Sequence, residues 1–238
     1  MTPEQHLQTL RTETARFSAA AAAASARYGW RAHVPGCPGW DLADLVWHLG
    51  EVQHFWAWLV RTRATSPEGH PPPARPADDG LLAFAGDQGR ALAYELDRVE
   101  PTDRVWTWAP QQDVAFVLRR QAQEATVHRV DAEQVLGEVT PVPADVGLDG
   151  LDEWLEVMVP GALPGGPPAG AEPVVFHAVD ADAERTLFAG TADLPVATLT
   201  GPAGQLLLAA WRRIPLEEVT VDGDADRAAA LLAQVTLG

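Results

Sequence analysis

Apolar residues recur every three or four positions through the longer, N-terminal part of the chain and give way to short β-rich runs towards the end. The first periodic stretch covers 3–28, with Leu7, Leu10, Thr14, Phe17 and Ala21 on one face. Pro3 and Glu4 suit a first helical turn, and Gly29 supplies a stop. A second helix is expected to start after Asp41, with Asp44 three positions on in a capping-box arrangement, and to run to about residue 62. The segment "SPEGHPPPARPADDG" (66–80) is a long surface loop, because its prolines fix φ and remove backbone donors. A third helix is expected over 80–99, carrying Leu81, Phe84, Ala85, Leu92 and Leu96 on its apolar side. A fourth begins near Asp113 and ends at Gly137. Four amphipathic helices of this length predict an antiparallel bundle.

The tail has a different character. A fifth short helix, "LDGLDEWLEVMV" (148–159), leads into the linker-like "PGALPGGPPAGA" (160–171). The β-rich runs "VVFHAV", "RTLFAG" and "VATLTG" follow, then a helix over 202–212, the run "EEVTVDG" and a last helix from Asp224 to about Val235. The expected fold class is therefore α+β and mainly α: a bundle over 1–159, a linker over 160–171 and a small α+β unit over 172–238.

Charge narrows the field of functions. The formal net charge is −16, and sequence-independent nucleic-acid binding needs Lys and Arg to displace counterions. All 17 basic residues are arginine, so neither Schiff-base chemistry nor a P-loop lysine is available. Cys37 is the single cysteine, which excludes an internal disulfide and a multi-cysteine zinc site. No uncharged apolar run is long enough for a transmembrane helix, and the first residues lack the basic and apolar regions of a secretory signal. No membrane partner and a cytoplasmic location are expected; monomer and homodimer both remain open.

Candidate chemistry lies on the second and fourth helices. At 100° per residue, Leu42, Leu45, Val46, Leu49, Trp56 and Val60 centre on one direction, and His48 lies roughly 80° away, at the border of core and solvent. His54 lies nearly opposite that centre, where exposure is expected. On the fourth helix Glu124 and His128 fall within the apolar stripe, one turn apart. A carboxylate on a core face is costly unless it is paired or bound to a metal. Two imidazoles and one carboxylate make a tripod for Zn²⁺ or a similar ion with at least one position left open. Asp131, on the same side as His128, could orient its imidazole. Two readings stand side by side at this point: the tripod, or a core histidine with Glu124 paired to Arg120 one turn earlier. Cys37 reads as structural, and Trp40, Trp47 and Trp56 as packing or as walls of a pocket near His48.

"CPGWDLADLVWHLGEV" (37–52) together with "RRQAQEATVHRVDAE" (119–133) resembles the mycothiol-dependent maleylpyruvate isomerase family, which lies within the wider DinB-like group of metal-binding four-helix bundles. "LTGPAGQLLLAAWRRIPLEEVTVDGD" (199–224) resembles that family's C-terminal, sterol-carrier-like domain. The resemblance implies that His48, Glu124 and His128 are the metal ligands, with zinc expected and nickel or manganese as alternatives. It also implies mycothiol as co-substrate and an Arg213 placed to contact an anionic ligand. Gln123 departs from the histidine that many relatives carry before the glutamate. The expected activity is metal-assisted activation of a small thiol, for S-transfer to an electrophile or for cis–trans isomerisation of one. A metal-dependent hydrolase and a non-catalytic metal- or ligand-binding protein are the alternatives.

Overall fold

The computed structural model describes residues 1–235, and the last residues of the expected C-terminal unit, 236–238, lie outside them. The chain forms two compact units, Met1–Thr140 and Pro141–Gly238.

The first unit is built from α1 (Pro3–Tyr28), α2 (Leu42–Thr62), α3 (Leu81–Leu96) and α4 (Val114–Leu136). The starts of α1, α2 and α4 follow local side-chain chemistry. Thr2 and Gln5 form one capping box, Asp41 and Asp44 form the other, and Asp113 caps α4 by accepting from the Phe116 amide. Gly29 and Gly137 take positive φ at the ends of α1 and α4. α1 packs along α4, and α2 along α3. α2 and α3 approach closely at Gly50, where an added Cβ would lie 2.7 Å from the Phe84 ring. The α1–α4 seam holds an interior ion network. Arg129 is fully buried, donates Nε–H to Glu13 Oε2 at 2.6 Å and donates from Nη1 to Glu133 Oε2 at 2.8 Å and to the Thr140 carbonyl at 2.7 Å. Removing one partner from such a buried pair leaves an uncompensated charge. The network therefore fixes how α4 sits against α1.

The second unit contains α5 (Ala144–Glu153), a π-type turn over Trp154–Met158, α6 (Val159–Ala162), β1 (Val174–Ala178), β2 (Ala183–Leu187), β3 (Ala197–Gly201), α7 (Ala203–Ala210), β4 (Thr220–Gly223) and α8 (Ala225–Leu232). The sheet order is β2-β1-β3-β4, with β1 and β3 parallel and the outer pairings antiparallel. Val174, Phe176 and Ala178 point inwards, in register with Ala197 and Leu199, while His177 faces out beside Glu184. The mainly helical α+β class read from sequence is the class observed.

The division between units falls earlier than expected. Helical periodicity assigns the fifth helix to the bundle up to residue 159 and composition marks a linker at 160–171; the break instead follows Thr140, and α5 packs on α7. Gly147 explains the attachment: an added Cβ there would strike the Gly204 backbone, so the two helices meet at van der Waals distance. The fifth helix also starts earlier, at Ala144, and gives way to the π-type turn at Trp154.

Candidate metal centre

Three segments of the first unit converge on one cluster. α2 presents His48 and α4 presents Glu124 and His128. The loop between α1 and α2 supplies Trp40 and Cys37. That loop is a compact double turn: Cys37 N–H donates to the Val34 carbonyl at 3.1 Å, Trp40 N–H to the Cys37 carbonyl at 3.0 Å and Val34 N–H to the Trp40 carbonyl at 3.2 Å. Gly39 takes φ 87°, a conformation that glycine adopts without strain.

Glu124 Oε1 lies 3.2 Å from His48 Nε2 and 3.2 Å from His128 Nε2. The three ligand-capable atoms lie within 4.8 Å of one another. The two imidazoles meet edge to face with centroids 5.0 Å apart. Side-chain exposure falls from 31% at His48 to 18% at Glu124 and 8% at His128, so the cluster is reached from the His48 side. Trp40 walls it, with ring centroids 4.7 Å from His48 and 6.2 Å from His128. Trp47 stacks instead on Phe84, and Trp56 packs against Phe116. His54 is half-buried rather than exposed, because Nδ1 meets Gln88 Oε1 at 3.0 Å and Nε2 meets the Pro71 carbonyl at 3.2 Å.

The two readings of Glu124 prove compatible, because its two oxygens are used separately. Oε1 faces the imidazoles, and Oε2 accepts from Arg120 Nη2 at 3.2 Å. His128 Nδ1 donates to Asp131 Oδ2 at 2.8 Å. Cys37 Sγ–H donates to the same Oδ2 at 3.3 Å. Cys37 thus touches the residue that touches His128, a role that its isolated position in the sequence did not signal.

Electrostatics follow from this geometry. Burial alone would push the Glu124 carboxyl up, but the His128 charge, hydrogen bonds from His128 and His48, and Arg120 together hold it well below the usual carboxylate range. Burial alone would push His128 down, yet Glu124 on one nitrogen and Asp131 on the other hold it well above the ordinary imidazole value. Both partners are acceptors, so each is placed to accept a hydrogen bond from a His128 nitrogen when no metal is bound. The donor set of two nitrogens and one carboxylate oxygen fits a divalent ion in place of the Nε2 proton. Arg213 belongs to the second unit, where Nη1 donates to the Trp211 carbonyl at 3.1 Å.

A bundle that gathers two histidines and a glutamate between α2 and α4, in a chain continuing into a four-stranded α/β unit, defines the class of fold. The chain belongs to the mycothiol maleylpyruvate isomerase family, an enzyme family. The model of that family's N-terminal domain matches residues 8–133, and the model of its C-terminal domain matches 145–230. A crystal structure of the mycothiol-dependent maleylpyruvate isomerase superposes with TM-score 0.70 at 14% identity, covering 93% of each chain. A crystal structure of a histidine-to-alanine mutant of that isomerase superposes with TM-score 0.68 at 15% identity and the same coverage. No curated protein matches the chain. No helix among the described residues is long and apolar enough to cross a membrane.

Proposed function

We propose that the chain is a thiol-dependent enzyme whose metal centre is His48, Glu124 and His128, with zinc as the ion and mycothiol as the co-substrate. The observation that carries this reading is the convergence of His48 Nε2, Glu124 Oε1 and His128 Nε2 around one point, with an approach from the His48 side. A bound divalent ion would supply a Lewis acid that lowers the pKa of a thiol placed at its open position. An ordinary thiol is only a few per cent ionised near neutral pH, so this acidification is what makes it a nucleophile.

The residues around the centre have separable tasks. His48 and His128 present neutral Nε2 atoms, Glu124 contributes the single negative charge, and Arg120 keeps its second oxygen occupied. Asp131 keeps the remaining His128 proton on Nδ1. Trp40 shields the imidazoles from water on one side. Arg213 is proposed to recognise an anionic group of a substrate. The thiolate sulfur adds to one carbon of an activated cis double bond, and the electron pair moves on to the conjugated carbonyl. Rotation about the resulting single bond, return of the electron pair from the carbonyl and expulsion of the thiolate give the trans isomer and regenerate the thiolate. If the adduct is retained and protonated, the same addition is an S-transfer.

The test is metal content of untagged protein, followed by incubation with mycothiol and maleylpyruvate. Product that is isomerised without gain of mass, formed only with thiol and metal and lost in His48→Ala, supports isomerisation. A mass gain of one mycothiol supports S-transfer. Turnover of esters or amides without thiol would overturn the reading in favour of hydrolysis.

A further inference from the structure

We propose that Cys37 is a positioning residue of this centre. It holds the Asp131 carboxylate in the place from which that carboxylate aims His128 Nε2 at Glu124 and His48. The proposal rests on the metal-centre reading above.

Asp131 is fully buried, and one of its oxygens, Oδ2, receives both the His128 Nδ1–H at 2.8 Å and the Cys37 S–H at 3.3 Å. A buried carboxylate has no donors of its own, so the donors around it set its orientation. His128 can orient itself on Asp131 only if Asp131 is held by something else. Cys37 is suited to that task because its backbone is pinned on both sides by the turn hydrogen bonds to Val34 and Trp40. The same turn places Trp40 against both imidazoles, so one short segment contacts the cluster from two directions. A thiol is a weak donor. It directs the carboxylate while leaving most of the negative charge for the imidazole, which makes His128 the more basic ligand.

Cys37, His128 and Asp131 also bring ligand-capable atoms within 4.8 Å of one another, so the competing role for Cys37 is direct ligation. Two features favour positioning. The sulfur lies at hydrogen-bond distance from a carboxylate oxygen, where a donor belongs and a second anion does not. Ligation there would also take His128 Nδ1 away from its 2.8 Å partner.

The experiment uses the full chain as wild type, Cys37→Ser, Cys37→Ala, Asp131→Asn and the Cys37→Ala/Asp131→Asn pair. Zinc affinity is read by chelator competition, and the same proteins are loaded with Co²⁺ for absorption spectra. Serine keeps a donor at this place and alanine does not. Asp131→Asn is expected to weaken zinc binding by roughly 10–100-fold and Cys37→Ala, acting through it, by about three- to tenfold, with Cys37→Ser within about twofold of wild type. The alanine effect should vanish in the Asp131→Asn background, because the two residues act in series. Equal zinc affinity in wild type and Cys37→Ala would overturn the proposal, whatever the variants do to stability. So would a sulfur-to-cobalt charge-transfer band in wild type that disappears in Cys37→Ser, since that marks a ligand. If wild-type protein binds no zinc, or binds it unchanged in His48→Ala, the metal-centre reading itself has failed, and the proposal with it.

Discussion

Glu124→Gln isolates the charge of the proposed centre while preserving its shape. The carboxylate stands 3.2 Å from each Nε2 and, through its other oxygen, 3.2 Å from Arg120. An amide in the same place can still accept one hydrogen bond, but it carries no charge and is a poor ligand for zinc. Structural four-ligand zinc sites bind with apparent free energies of about 10–16 kcal/mol, or roughly 2.5–4 kcal/mol per ligand. Losing one ligand then weakens zinc binding by about 10²–10³-fold. In metal-free protein the effect should be smaller, about 1–3 kcal/mol, because His128 can give up its extra proton once its partner is neutral. The two effects separate in denaturant titrations run with and without zinc. At a zinc concentration near 100 times the wild-type Kd, the ion adds about 2.7 kcal/mol to the wild type. The variant should gain less than about 0.5 kcal/mol under the same conditions. A variant that gains as much from zinc as the wild type would refute the assignment of Glu124 as a ligand. A wild type that gains nothing would refute the centre.

Three further outcomes follow from the same geometry. Arg129→Ala should cost about 3–5 kcal/mol in denaturant unfolding, by leaving Glu13 and Glu133 buried without their counter-charge. Arg129→Met, which fills the space but also strands the acids, should recover only part of that loss. Gly147→Ala should destabilise the second unit by about 1–3 kcal/mol, since its Cβ would meet the Gly204 backbone; a neutral result in thermal melts would mean that α5 and α7 can separate without cost. In chelator-treated protein the raised His128 contributes stability that is complete below its unfolded pKa and is lost as pH rises through its elevated folded value. The lowered Glu124 contributes stability that is present above its unfolded pKa and is lost as pH falls through its depressed value. Unfolding free energies from about pH 3 to about pH 10 should therefore fall at both ends more steeply in wild type than in His128→Gln, and parallel curves would contradict the pairing.

The helices of the bundle were legible because their signals are local. Pro3 in the first turn, Asp41 as a cap and the glycines at 29 and 137 sit at fixed offsets from the runs that they bound. His48, Glu124 and His128 could be singled out for a related reason: Glu124 and His128 interrupt the apolar stripe of α4, and His48 borders that of α2. That His48 meets the other two is a tertiary fact, carried by the packing of α2 beside α4, and residue spacing alone left two readings open. Cys37 shows the limit more sharply. It violates no local pattern, so nothing in the sequence ties it to Asp131 across 94 positions. The boundary at Thr140 was missed because α5 is amphipathic like the bundle helices, and only the fit of Gly147 to Gly204 shows which layer it joins. The parallel pairing of β1 with β3 was hidden likewise, since alternation fixes which side chains face inwards but not which strands are neighbours.

Buried charge marks both ends of this division between local and tertiary information. Arg129 and Glu124 lie on the same helix, five positions apart, and both are ionised groups withdrawn from water. Arg129 is fully enclosed and finds Glu13, Glu133 and Thr140 at close range, so its charge is spent on holding α4 to α1. Glu124 keeps some exposure and shares one oxygen between two imidazoles that would repel each other if both were charged. On the proposed reading, a proton there can be exchanged for a divalent ion, which would meet two neutral nitrogens and one anion at once. The contrast along one helix is between a charge that serves the fold and, on the proposed reading, one placed for chemistry.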